Sequence, residues 1–189
     1  HMTATQAEDL VLETARAWMD QTPTCDPLHG LLQRAREALE AMPHTTRIRN
    51  ELAFLNLLAR LHEYAWPSSA EPLTPRRVRA VPQKLELFAR VLAYNRDAYQ
   101  TRQIRSLGEA CSEGSGSTDN AVRISAMLVD AAAANGDLVA ACRECERLVT
   151  RVQAIDRATN VEAYDAAWRT CFQLAKNPLW TDEQTRAQV

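Results

Sequence analysis

The stretch DNAVRISAMLVDAAAANGDLVAACRECERLVTRVQ, Asp119 to Gln153, decides the fold. Val122, Ala126, Val129 and Ala133 recur at the spacing that lines one face of a helix, and Asp119 stands where an N-cap is wanted. Asn135-Gly136-Asp137 then interrupts the period. Glycine accepts the left-handed backbone that ends a helix, and the aspartate after it starts the next one. A second arm carries Leu138, Ala141, Cys142, Cys145, Leu148, Val149 and Val152 at the same spacing, so two helices fold back on each other through a short turn.

The same punctuation extends in both directions. Toward the N-terminus, a helix from about Thr5 to Asp20 places Leu10, Thr14 and Trp18 on one stripe, with Val11, Ala15 and Met19 beside it. Asp26-Pro27 is an N-cap with proline at the first helical position, where a missing N–H costs nothing. Leu28, Leu31, Leu32, Ala35, Leu39 and Met42 then point inward, and Pro43 stops that helix. Thr45 or Thr46 caps a third helix bearing Ile48, Leu52, Leu55, Leu58, Ala59 and Leu61. Further helices carry Leu85, Phe88, Ala89 and Leu92, then Ala98, Ile104, Leu107 and Cys111. Beyond the hairpin, Tyr164, Ala167, Trp168, Cys171, Phe172 and Ala175 form another stripe before Asn177-Pro178, and Thr181 opens a last helix that the chain leaves unfinished at Val189, as a piece of a longer protein would. About nine helices with short connections describe an all-α, α-solenoid-like array of antiparallel helix pairs. No strict repeat period accompanies them, so the repeats are degenerate.

Composition agrees. The 189 residues are 46% hydrophobic and 24% charged, with five glycines and few β-branched runs, enough for a buried core and poor material for a sheet. No apolar run reaches the ~20 residues that span a bilayer, and no signal peptide opens the chain, which points to the cytoplasm. Organisation follows from the breaks. Residues 1–2 (His1, Met2) have the form of a tag remnant, residues 3–66 are N-terminal helices and residues 67–82, with Pro67, Pro72, Pro75 and Pro82, are a loop. Residues 83–113 form a basic helical segment and 118–189 the C-terminal hairpin and its successors. Between them, Gly114-Ser115-Gly116-Ser117 has the composition of an engineered linker that replaces a disordered insertion.

Candidate sites are few. Cys142-Arg143-Glu144-Cys145 is a C-x-x-C, but a zinc site needs more ligands and a redox pair needs a βαβ context, so both thiols are assigned to the core. His29, His44 and His62 are isolated, and phosphate loops and nucleophile elbows are absent. Neither a cofactor, a metal nor a small-molecule substrate is expected, and the chain does not look like an enzyme; an enzyme or redox protein centred on Cys142 and Cys145 is the weakest alternative. Trp18 and Trp168 sit on apolar stripes and belong to the core. Trp66 and Trp180 adjoin helix breaks beside proline and are the better partner anchors. Charge is the most uneven property. Arg76, Arg77, Arg79, Lys84, Arg90, Arg96, Arg102 and Arg105 face only Glu86 and Asp97, so residues 76–105 carry +6 in a chain of net −2. That asymmetry can steer an acidic partner or an anionic surface, the plainer reading being a solvated helix face with a basic loop. RNA, bound in the manner of a pentatricopeptide repeat, is an alternative; it is disfavoured because aromatic platforms do not alternate with the basic residues.

One stretch also carries a resemblance. Val122-Arg123-Ile124-Ser125-Ala126-Met127-Leu128-Val129-Asp130-Ala131-Ala132, then Asn135-Gly136-Asp137-Leu138-Val139-Ala140-Ala141-Cys142 and Arg147-Leu148-Val149, and finally Ala166-Ala167-Trp168-Arg169-Thr170-Cys171-Phe172-Gln173-Leu174-Ala175, resemble the neuroblastoma-amplified-sequence (NBAS) family, that of the fungal Sec-thirty-nine tether subunit. The resemblance covers the last 70 or so residues, and Leu87 to Cys111 only loosely. It implies a long α-solenoid that joins a Zeste-White-Ten or Dsl-type subunit in a vesicle-tethering complex. Such a complex works on the cytosolic face of the endoplasmic reticulum, in Golgi-to-ER retrograde transport, and binds SNARE proteins, touching the membrane only through its partners. A kinetochore Rod-like scaffold is the architectural alternative.

Overall fold

Helices begin where side chains satisfy the first unpaired backbone amides. The computed structural model describes residues 3–64, 66, 72–112, 118–155 and 160–177. Thr3 opens α1 (Ala4–Gln21) with a capping box: the Gln6 amide donates to Thr3 Oγ1 at 3.3 Å, and the Thr3 amide donates to Gln6 Oε1 at 2.9 Å. Helix α2 (Gly30–Glu40) starts later than the sequence suggests. Asp26 caps no helix; its Oδ1 accepts from the Leu28 amide at 2.9 Å and closes a turn, leaving His29 as the cap. Leu28, expected inward, is 83% exposed in that turn.

Thr45 caps α3 (Thr46–His62), and Thr74 caps α4 (Pro75–Ala80). The second of these corrects the expected loop over 67–82. Pro75 occupies the first helical turn, where it needs no N–H partner, so proline begins this helix instead of preventing it. The chain continues through α5 (Leu85–Tyr94), a single 3₁₀ turn (Ala98–Gln100), α6 (Arg102–Ser112), α7 (Thr118–Ala134), α8 (Leu138–Gln153) and α9 (Val161–Ala175). Among the described residues all regular structure is helical, and none of these helices is long and apolar enough to cross a membrane. The linker at 114–117, the side chain of Asp119, Trp180 and the cap at Thr181 lie outside the described residues.

The chain divides into two compact units, His1–Tyr94 and Asn95–Val189. In the first, α1 packs on α2 and α4, and α2 on α3. Its core is built from Leu12, Ala15 and Met19, Leu32, Ala35 and Leu39, and Ile48, Leu55, Leu58 and Leu61. The buried stripe of α1 is therefore Leu12-Ala15-Met19, and Leu10, placed on a stripe with Trp18 by periodicity, is 55% exposed. Each fully buried leucine contributes about 2 kcal/mol.

In the second unit α7 is central, contacting α6, α8 and α9. The α7–α8 hairpin is the one read from Asp119 to Gln153. Gly136 has φ +76°; the Asp137 amide donates to the Ala132 carbonyl and the Gly136 amide to that of Ala133, both at 3.0 Å. This pair of bonds satisfies the carbonyls left over at the end of α7. Asp137 at once caps α8, its Oδ1 accepting from the Ala140 amide at 2.9 Å, and its Oδ2 accepts from Tyr99 Oη at 3.1 Å. One residue thus ends a turn, starts a helix and ties down the segment before α6.

Candidate functional site

The basic segment is divided between the two units. Arg76, Arg77, Arg79, Lys84 and Arg90 belong to the first unit, and Arg96, Arg102 and Arg105 to the second. Each group contains an arginine committed to a nearly buried carboxylate. Glu51 on α3 has a side chain only 6% exposed, and it accepts from Arg16 Nε at 2.8 Å and from Arg79 Nη2 at 3.1 Å. Arg79 also lies 4.2 Å from the centroid of the Phe54 ring, a cation–π contact, while its own Nε is buried without a hydrogen-bond partner. In the second unit Glu144 on α8, 12% exposed, pairs with Arg105 of α6 and with Arg147 at 2.6 Å. Burial, and then the nearby Arg147 and Arg151, hold Arg105 below the ordinary arginine value.

Lys84 is likewise occupied. Its Nζ donates to the carbonyls of Arg79, at 3.1 Å, and of Val81, where a cation neutralises the end of α4. What the segment presents outward is Arg76, Arg77 and Arg90 in the first unit, and Arg96 and Arg102 in the second, all exposed. Trp66 is half-buried, with Nε1 donating to the Leu61 carbonyl at 3.1 Å, so one edge of the indole is anchored on α3.

Trp168 reverses its sequence assignment. It is 68% exposed, stacked on Phe172 with ring centroids 5.8 Å apart and planes at 24°, and Lys176 Nζ sits 4.3 Å from the Phe172 centroid. The buried stripe of α9 is Ala163-Ala167-Thr170-Leu174, whose two alanines let α9 approach α7 closely, and it turns the aromatic pair outward. An exposed stacked pair of large aromatics is uncommon and is typical of contact surfaces.

The thiols also sort differently. Cys142 is core, 8% exposed, whereas Cys145 is half-buried and faces Cys171 of α9, with Sγ atoms 2.8 Å apart. The C-x-x-C spacing is incidental, and the close pair joins two helices. Among the described residues no group of three His, Cys, Asp or Glu side chains could hold a metal ion.

A sequence model of the family described as Secretory pathway protein Sec39 matches residues 1–188. The chain belongs to the Sec39 family. No curated protein matches it. The match extends well beyond the C-terminal stretch that carries the resemblance, taking in both compact units and every described helix. Membership of the Sec39 family makes this all-α chain a helical scaffold of secretory-pathway protein transport.

Proposed function

We propose that this Sec39-family chain is a protein-binding helical scaffold of a vesicle-tethering complex. It acts at the cytosolic face of the endoplasmic reticulum in Golgi-to-ER retrograde transport, alongside a Zeste-White-Ten or Dsl-type subunit and SNARE proteins, and without catalysis. The observation that carries this reading is the family match over residues 1–188. The partner-facing residues are Trp66, Arg76, Arg77 and Arg90 in the first unit, Arg96 and Arg102 in the second, and Trp180 beyond the described residues. Arg79 and Lys84 support the exposed residues of the first unit from within, Arg105 those of the second, and Trp168 with Phe172 adds an aromatic anchor to the second unit.

The test is capture of purified tether subunits and SNARE N-terminal domains by the full chain. Wild type retains at least one of them, a Trp168→Ala, Phe172→Ala variant or an Arg76→Glu, Arg77→Glu, Arg90→Glu variant retains less, and all three proteins melt at the same temperature. Failure of the wild-type chain to bind any of these partners refutes the proposal. Salt-sensitive RNA binding in place of protein capture supports the pentatricopeptide-like alternative instead.

A further inference from the structure

Two thiols that approach each other on neighbouring helices are poised for a reaction that a scaffold does not need. Cys145 on α8 and Cys171 on α9 have sulfur atoms 2.8 Å apart, both half-buried, and are separated by 26 residues of chain. A disulfide bond measures about 2.05 Å, so closing the gap takes a shift of only about 0.8 Å. Cys142 is one turn away from Cys145 on the same helix and faces the core, which makes it the poorer partner. We propose that Cys145 and Cys171 form a reversible disulfide that staples α8 to α9, with a low-molecular-weight disulfide such as oxidised glutathione as the oxidant.

The exchange takes two steps. The thiolate of one cysteine attacks a sulfur of the small disulfide, forming a mixed disulfide and expelling one thiolate, which takes up the proton that the attacking cysteine lost. The second protein thiol gives up its proton and attacks the protein-side sulfur of the mixed disulfide, and the second small thiol departs with that proton. Two protein thiols are oxidised and one small disulfide is reduced to two thiols. Burial, followed by the hydrogen bond to Cys171, pushes the Cys145 thiol up to about 12. In a cytosolic protein such a disulfide forms transiently and reports redox state. Cys171 lies between Trp168 and Phe172 in sequence, so the staple also fixes the rotation of α9 and with it the exposed aromatic pair.

The experiment equilibrates the full chain in glutathione buffers of increasing oxidised fraction, quenches with an alkylating reagent and maps peptides without reduction. The expected product is a monomer with a peptide joining Cys145 to Cys171, reversed by reductant. Cys142→Ser forms it to the same extent, whereas Cys145→Ala and Cys171→Ala do not. Amides of α9 exchange about tenfold more slowly in the oxidised protein. The wild-type map decides the matter even where a cysteine variant fails to fold. A Cys142–Cys145 bond, an intermolecular disulfide, or Cys145 and Cys171 still fully alkylated in the most oxidising buffer would overturn the proposal.

Discussion

Glu51 offers the sharpest perturbation of the first unit. Its carboxylate is nearly buried and holds two guanidinium groups, Arg16 at 2.6 Å to Nη2 and Arg79 at 3.1 Å. Replacing it with alanine removes the shared anion and leaves both cations facing each other across the α3 surface. Loss of one member of a fully buried pair costs about 3–5 kcal/mol, while an exposed pair is worth less than about 1 kcal/mol. The Arg16 and Arg79 side chains are 47% and 34% exposed, so water screens part of the penalty, and Glu51→Ala is expected to cost about 2–3 kcal/mol. For a chain of this size that lowers Tm by on the order of 4–12 °C. Arg79→Ala leaves Arg16 to neutralise Glu51 and costs about half as much. The paired replacement Glu51→Met, Arg79→Met removes both charges, fills the space and recovers most of the loss. Thermal melts followed by far-ultraviolet circular dichroism, with denaturant titrations to check that the slope is unchanged, provide the measurement. A Glu51→Ala protein that melts within about 1 °C of the parent, or single-variant losses that simply add in Glu51→Ala, Arg79→Ala, refutes the reasoning.

Three further outcomes follow from local geometry. Gly108→Ala places a Cβ 2.9 Å from Ile124 Cγ2, a methyl fixed on the branched Cβ with no length to swing away, so α6 and α7 move apart; the overpacking outweighs the gain in helix propensity, for a net loss of about 1 kcal/mol in denaturant melts that disappears when Gly108→Ala is made in an Ile124→Ala background. Asp137→Ala removes the α8 cap and the Tyr99 acceptor and costs about 2 kcal/mol, whereas Asp137→Asn retains about half of that, as chemical denaturation will show. Cys25, hydrogen-bonded to the Leu73 carbonyl at 3.4 Å, is pushed up to about 12 by burial. The folded state favours its neutral thiol, so this stabilisation is complete below the ordinary thiol range near pH 9 and is lost as pH rises toward 12. Melts under reductant should fall more steeply above pH 9 for wild type than for Cys25→Ala.

The hairpin was legible because all its signals are local. The Asn135-Gly136-Asp137 turn needs a positive φ, a carbonyl stop and a side-chain cap, and those three residue types supply them in order. The cap at Thr45 is of the same kind, whereas the Thr74 cap of α4 went unread among the prolines of the expected loop. Asp26-Pro27 misled because an aspartate side chain serves a turn as readily as a helix, and here it closes on Leu28. Trp168 misled because two stripes of α9 satisfy the helical period, and the choice between them rests on how closely α7 approaches, which Ala163 and Ala167 permit. The partners of Arg79 and Arg105 were out of reach for a different reason. Glu51 and Glu144 lie 28 and 39 residues away along the chain, beyond any pattern of neighbouring turns. The Cys145–Cys171 approach, 26 residues apart and on separate helices, was hidden in the same way.

The two arginine-clasped glutamates separate two roles that charge plays in this molecule. Dissolved ions crowd around Arg76, Arg77, Arg90, Arg96 and Arg102 and weaken their pull on anything acidic within a Debye length of about 8 Å at physiological salt. They reach Glu51 and Glu144 far less well, because those carboxylates are almost withdrawn from solvent. In the proposed function, raising the salt therefore loosens the hold on an acidic partner while the helices stay clamped, and attachment can be adjusted without the scaffold giving way.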